Sequence, residues 1–170
     1  MNVQLTDVCL LFGSNSGNRL DYITNALNRV AERAGKIISK SSCYETAPWG
    51  FTGQPDFLNR VAIVETALTP VQLLQALKSI EKELGRIKIE KWKQRIIDID
   101  ILFYGDLIFE SIELTIPHPL LHKRKFTLIP LNELMPGLIH PLFKKRISQL
   151  LLECEDGGEV NLLKPELIKP

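Results

Sequence analysis

Ile96-Ile97-Asp98-Ile99-Asp100-Ile101-Leu102-Phe103-Tyr104 (IIDIDILFY) is the stretch whose reading decides the fold. Ile97, Ile99 and Ile101 alternate with Asp98 and Asp100, the period of a strand, and the residues are β-branched and aromatic. Before it runs a basic connection, RIKIEKWKQR (86–95). Before that, Leu73, Leu77, Ile80 and Leu84 recur at helical spacing, with Thr69-Pro70 at the start and Gly85 at the end. Thr as N-cap with Pro at the first helical position is a start signal, and Gly is a stop signal. Further back, FLNRVAIVET (57–66) reads as a strand, APWGFTGQPD (47–56) as a loop, and KIISKSSCYET (36–46) as one more exposed strand. Leu20, Ile23, Leu27, Val30 and Ala34 mark another helix, with Asn18 as N-cap and Gly35 as its stop. DVCLLF (7–12), ended by Gly13-Ser14-Asn15, reads as a buried opening strand.

The resulting order, β-α-β-β-α-β, predicts an α+β, ferredoxin-like antiparallel sheet with helices packed on it. Downstream, LIFESIELTI (107–116) reads as a hairpin. A Pro-rich turn at Pro117-His118-Pro119 and short helices complete a C-terminal hairpin and helix elaboration. We expect residues 1–170 to form a single domain, with 154–170 a loosely attached tail. Such a fold hosts many activities and decides none.

Composition narrows the field. The chain has 170 residues, 45% hydrophobic and 24% charged, with a formal net charge of +1. That balance lacks the basic surplus of a non-specific nucleic-acid binder. Apolar runs are too short for a membrane span. The opening MNVQLTDVCLLFG has no basic segment followed by a cleavage site. Cys9, Cys43 and Cys154 fit neither a disulfide framework nor a paired zinc spacing. The expectation is a reduced, cytoplasmic protein that binds neither nucleic acid nor membrane.

The chemistry concentrates around the opening stretch. Asp98 and Asp100 share one strand face and repel each other, so they call for a counter-charge. Hard oxygen ligands suit Mg²⁺ shared with substrate phosphates; a solvated face or pairing with nearby Arg is the alternative. Arg86, Lys88, Lys91, Lys93 and Arg95 precede the pair, and His118, Lys123 and Arg124 follow it, cations of the kind polyphosphate needs. No P-loop or dinucleotide fingerprint occurs. Phe57 and Asn59 also share a strand face, an aromatic platform beside an amide, which suits a flat heterocycle; Phe126 could close the stack. Trp92 stands in the basic connection, where it could clamp a ring or simply cover the fold. Glu81 reads as a surface acid. His118 and His122 are spaced like helix-borne zinc ligands, but the flanking prolines argue against that helix.

Together these residues resemble the 6-hydroxymethyl-7,8-dihydropterin pyrophosphokinase family of folate biosynthesis. The likeness runs from Val8 to about Leu151. It rests on Gly13-Ser14-Asn15, Tyr44-Glu45-Thr46-Ala47-Pro48, Gln54-Pro55-Asp56-Phe57-Leu58-Asn59 and Glu81…Gly85-Arg86. It continues through Trp92…Arg95-Ile96-Ile97-Asp98-Ile99-Asp100, Ile116-Pro117-His118 and Arg124-Lys125-Phe126.

The resemblance implies transfer of pyrophosphate from ATP to the hydroxymethyl group of the reduced pterin, releasing AMP, with two Mg²⁺ ions. Asp98 and Asp100 would hold the metals, and Arg86 and Arg95 would join them in catalysis. Arg86, Arg95, His118 and Arg124 would touch phosphates or ribose. Glu81 and Trp92 would stand near ATP, and Leu74, Ile101 and Thr115 near adenine. Thr46, Ala47, Trp49 and Asn59 would read the pterin edge, with Phe57 and Phe126 sandwiching the ring and Trp92 closing over it. The loop between Arg86 and Arg95 would close over ATP. Neighbouring folate-pathway enzymes are the implied partners. The chain departs from the family pattern at Phe57, Lys88, Lys93-Gln94 and Pro119, and that loop looks one residue shorter. Two rival readings are a nucleotidyltransferase with a D-x-D metal site and a non-catalytic ferredoxin-like ligand-binding module.

Overall fold

The computed structural model describes residues 4–50, 53–86 and 95–164. Strand β1 (Thr6–Ser14) has an antiparallel neighbour on each side, β4 (Phe57–Thr66) and β5 (Asp98–Tyr104). Beyond β4 the sheet splits: β2 (Lys36–Lys40) pairs with one half of β4 and β3 (Tyr44–Thr46) with the other. The single strand expected over 36–46 is therefore two. The break is tertiary in origin: the Val61 amide donates to the Ser41 hydroxyl (3.0 Å), and Arg60 Nε donates to the Ser41 carbonyl (2.7 Å).

Alternation along β1 explains both layers. Val8, Leu10 and Phe12 enter one core cluster, Cys9 and Leu11 the other. With both faces buried, the strand reads as a continuous apolar run. The first face carries α1 (Arg19–Arg33) and α2 (Pro70–Glu83), as expected for a ferredoxin-like order. Asn18 caps α1, and Thr69 with Gln72 forms a reciprocal capping box on α2. Gly35 ends α1 where the chain passes close to β4; a Cβ there would lie 2.2 Å from the Glu65 carbonyl oxygen. The second face is covered by the C-terminal elaboration: α3 (Lys125–Leu134), preceded by a 3-10 turn over Leu121–Lys123, and α4 (Ile147–Glu153). The hairpin of β6 (Phe109–Glu110) and β7 (Thr115–Ile116) forms a separate two-stranded sheet. Among the described residues no helix is long and apolar enough to cross a membrane.

The loose tail expected over 154–170 is corrected over its described part. Strand β8 (Val160–Leu162) pairs antiparallel with β3, and the Leu163 amide donates to the Cys43 carbonyl (2.9 Å). Residues 165–170 lie outside the described residues.

Candidate active site

Sheet register builds the site. Gly13 of β1 stands opposite Asn59 of β4 on one side and Asp98 of β5 on the other; Leu11 stands opposite Asp100. Side chains of these positions share the face that α3 covers, because Ile97, Ile99 and Ile101 fill the opposite core. Gly13 leaves a gap between its two polar neighbours; a Cβ there would sit 3.1 Å from Asn59 Oδ1. Above this floor opens a cavity of about 470 Å³.

Each wall has its own cause. β3 ends in Thr46, and the loop that follows brings Ala47, Pro48, Trp49 and Gly50 to the rim. Asn59 Nδ2 donates to Thr46 Oγ1 (2.8 Å), both residues buried, so amide and hydroxyl hold each other toward the cavity. The start of α3 brings Arg124 and Phe126, and Phe57 comes from β4. The Arg124 guanidinium carbon stands 4.7 Å from the Trp49 ring centroid and 5.7 Å from that of Phe126. One end of the cavity is thus aromatic and the other charged.

At the charged end the Asp98 carboxylate is held by two arginines. Arg86 Nη2 lies 2.9 Å from Oδ1, and Arg95 Nη1 lies 2.7 Å from Oδ2. Arg86 also pairs with Glu81, whose other oxygen accepts from the Ile99 amide (2.7 Å). Glu81 is 4% exposed, so the surface acid expected from sequence is a buried one. It stands four residues after Leu77, on the buried side of α2, and that spacing was the signal for it. Burial pushes its carboxyl above the usual range, against the Ile99 amide and Arg86, which pull it down.

Asp100 lines the same end. Burial, and secondarily the charge of Asp98, pushes its carboxyl up to about 6, against Arg124, Arg95 and Arg86. Among the described residues, no cluster of three or more His, Cys, Asp or Glu could form a protein-only metal cage. Two adjacent carboxylates, one of them held out of its normal ionisation range, fit a hard cation that draws its remaining ligands from phosphate and water.

His118 was counted among the cations, and the structure corrects that. Burial, and then Arg124, pull its imidazole down to about 4, so it is neutral near pH 7. Its Nδ1 accepts from the Leu120 amide (3.2 Å), which leaves Nε2 carrying the proton as a donor. It does not line the cavity. Neither do Leu74, Ile101 and Thr115. Ile101 faces the α1/α2 core, and the three belong to α2, β5 and β7, which pack at the outer edge of the sheet, where β5 is the last strand. Trp92, Lys88, Lys91 and Lys93-Gln94 lie outside the described residues, as does the loop expected to close over ATP.

The sequence reading took Asn15 only as part of the turn after the first strand; the structure gives its side chain an organising part. The buried Asn15 accepts from the Arg95 amide through Oδ1 (2.6 Å), while its own amide donates to the Arg95 carbonyl (3.0 Å). Its Nδ2 donates to Gln54 Oε1 (3.2 Å) and the Pro55 carbonyl (3.4 Å). Asn15 thereby fixes the end of β1, the loop before β4 and the entry to β5 against one another.

Comparison with known proteins identifies the family. The sequence profile of the family described as 7,8-dihydro-6-hydroxymethylpterin-pyrophosphokinase (HPPK) matches residues 9–136. The chain is 41% identical to the Aquifex aeolicus 2-amino-4-hydroxy-6-hydroxymethyldihydropteridine pyrophosphokinase, covering 95% of this chain and 96% of that protein. It is 38% identical to the Haemophilus influenzae enzyme of the same name over 90% of this chain and 96% of that one. A folic acid synthesis protein of Schizosaccharomyces pombe is 43% identical over 88% of this chain, which spans only 20% of that longer protein. In fold, a crystal structure of Plasmodium falciparum HPPK-DHPS superposes with a TM-score of 0.75 at 20% identity, over 88% of this chain and 44% of that one. By profile and by identity over nearly its whole length, the chain belongs to the 7,8-dihydro-6-hydroxymethylpterin-pyrophosphokinase family.

Proposed function

We propose that this cavity is where the family's pyrophosphoryl transfer takes place, with the pterin at the aromatic end and the ATP phosphates at the charged end. The observation that carries the assignment is the sheet register that sets Asn59, Gly13 and Asp98 side by side. It sets the Asn59 amide two strands from the Asp98 carboxylate, which supports reading the first as the group that meets the heterocycle and the second as the group that would hold metal.

In this reading the Thr46–Asn59 pair and the backbone at Ala47 and Trp49 read the pterin edge, while Phe57 and Phe126 flank the ring. Asp98 and Asp100 would hold two Mg²⁺ ions. Bound there, the ions would neutralise phosphate charge and ease ionisation of the attacking hydroxyl. Arg86 and Arg95 would leave Asp98 for the phosphates, with which a guanidinium makes paired hydrogen bonds. The ion pairs to Asp98 then hold the arginines in reserve and keep its carboxylate balanced until substrate arrives. Glu81 holds Arg86 near that position. His118 would donate from Nε2 to a phosphate or ribose oxygen. Arg124, between the two ends, would meet the phosphates from the aromatic side. Leu74, Ile101 and Thr115, beside the edge strand β5, would stand near adenine.

The pterin hydroxyl gives up its proton to solvent as its oxygen bonds to the β-phosphorus, the bond from that phosphorus to the α,β-bridging oxygen breaks, and AMP leaves with that oxygen. The protein's main contribution is positioning and charge stabilisation. Relatives in which the HPPK region is part of a longer chain favour neighbouring folate-pathway enzymes as partners.

Mn²⁺ as a spectroscopic substitute tests the metal assignment. Titrated by electron paramagnetic resonance with α,β-methylene-ATP, the native chain should bind Mn²⁺ in the ternary complex. Asp98→Ala and Asp100→Ala should each weaken that binding by about tenfold or more, in the range seen when metal-site partners are lost, and abolish turnover with unchanged circular dichroism. Native Mn²⁺ affinity and turnover in either variant would contradict it.

A further inference from the structure

The geometry points to Asp156 as a positioning residue for the pterin wall, acting through the N-terminus of α3; the inference rests on the pterin assignment above. Helix α3 starts at Lys125, and its N-cap is Arg124, which makes no side-chain capping bond. Arg is not a capping residue, and here its side chain is turned to Trp49 and Phe126. The Thr127 and Leu128 amides donate to the Arg124 carbonyl, but the Lys125 amide at the start of the helix needs an acceptor from elsewhere.

Asp156 provides it from 31 residues downstream. Lys125 N–H donates to Asp156 Oδ2 (2.9 Å). The other carboxylate oxygen accepts from the Gly158 amide (2.9 Å), which fixes the carboxylate in its own turn. A negative group at this end also matches the helix dipole. The capped amide lies between Arg124 and Phe126, so the bond sets the backbone that aims both cavity-lining side chains.

The same segment braces the opposite wall. Four residues after Asp156, Val160 pairs with Thr46 in the β8–β3 ladder. Between the two attachments lies a second cavity of about 140 Å³, bounded by Trp49, Phe126, Asp156 and Val160. Asp156 and β8 thus tie α3 to β3 directly behind the aromatic end. The phosphate end has its own supports in Glu81, which accepts from the Ile99 amide, and Asn15, which accepts from the Arg95 amide.

Isothermal titration of the full chain with α,β-methylene-ATP, then with 6-hydroxymethylpterin as the probe, separates this role from simple stabilisation. Asp156→Ala should weaken pterin binding by about fivefold, and by at least about three times more than nucleotide binding, as expected when part of a cap's contribution is lost. Asp156→Asn, which keeps an acceptor oxygen, should recover most of that loss. Thr69→Ala, which removes the α2 cap away from the cavity, should lower Tm comparably and leave pterin affinity unchanged. Unchanged pterin affinity in Asp156→Ala, or equal losses in Asp156→Ala and Thr69→Ala, would overturn the proposal. If Asp156→Ala does not fold, Asp156→Glu moves the carboxylate by one methylene, and native pterin affinity in that variant would overturn it. Absence of pterin binding to the native chain would refute the reading of the cavity instead.

Discussion

Burial and the charge of Asp98 hold the Asp100 carboxyl at about 6, well above its ordinary value of 3.8. Between those values the folded chain binds more protons than the unfolded one. Stability therefore falls as pH rises through this window, and the cost stands in full above about pH 6. Asp100→Asn removes that cost. We expect the nucleotide-free variant to be more stable than the native chain at pH 7.5, on the order of 1–2 kcal/mol after allowance for solvent screening. The advantage should shrink toward pH 4, and turnover should be lost. Thermal melts at both pH values check this; an Asn variant less stable at pH 7.5 would refute the electrostatic account. The carboxylate pair was legible in the sequence because strand alternation is local. The arginine clamp on Asp98 was present only as an alternative, since spacing alone cannot say which cation reaches which oxygen.

Element boundaries divide by the reach of the interactions that set them. The caps at Asn18 and Thr69 were readable because cap and first turn are adjacent in sequence. The split between β2 and β3 was not, because Arg60 and Val61 impose it from another strand. Nor was β8, whose acidic, Gly-bearing approach hides a strand that forms only against β3. Asn15 shows the same limit: its side-chain partners lie 39 to 80 residues away. Asn15→Ala leaves the Arg95 amide without its acceptor and releases the loop at Gln54 and Pro55. We expect a loss of about 2 kcal/mol in stability, together with a fall in kcat/KM. Gln54→Ala removes only one of the partners of the Asn15 Nδ2 group, leaves the Arg95 contact in place and should cost far less. Denaturant melts of the two variants decide this; equal losses in both would mean that the Arg95 contact is not the main bond.

For the whole molecule, the sheet does the assembling. Three neighbouring antiparallel strands bring residues from distant parts of the chain onto one face. The helices of the second layer arrive late in the chain, and α3 completes the cavity with Arg124 and Phe126. Element order made the ferredoxin-like half predictable. The covering of the second face was foreseen only as an elaboration, since short helices with little periodicity carry weak signals. The central claim is that this assembly delivers a pterin hydroxyl to the β-phosphorus of ATP. The most direct test is ³¹P NMR of the protein with MgATP and 6-hydroxymethyl-7,8-dihydropterin. The account predicts AMP and a pterin diphosphate, formed only with the divalent cation and absent in Asp98→Ala. ADP with a pterin monophosphate, or AMP formed at the native rate by Asp98→Ala, would contradict it.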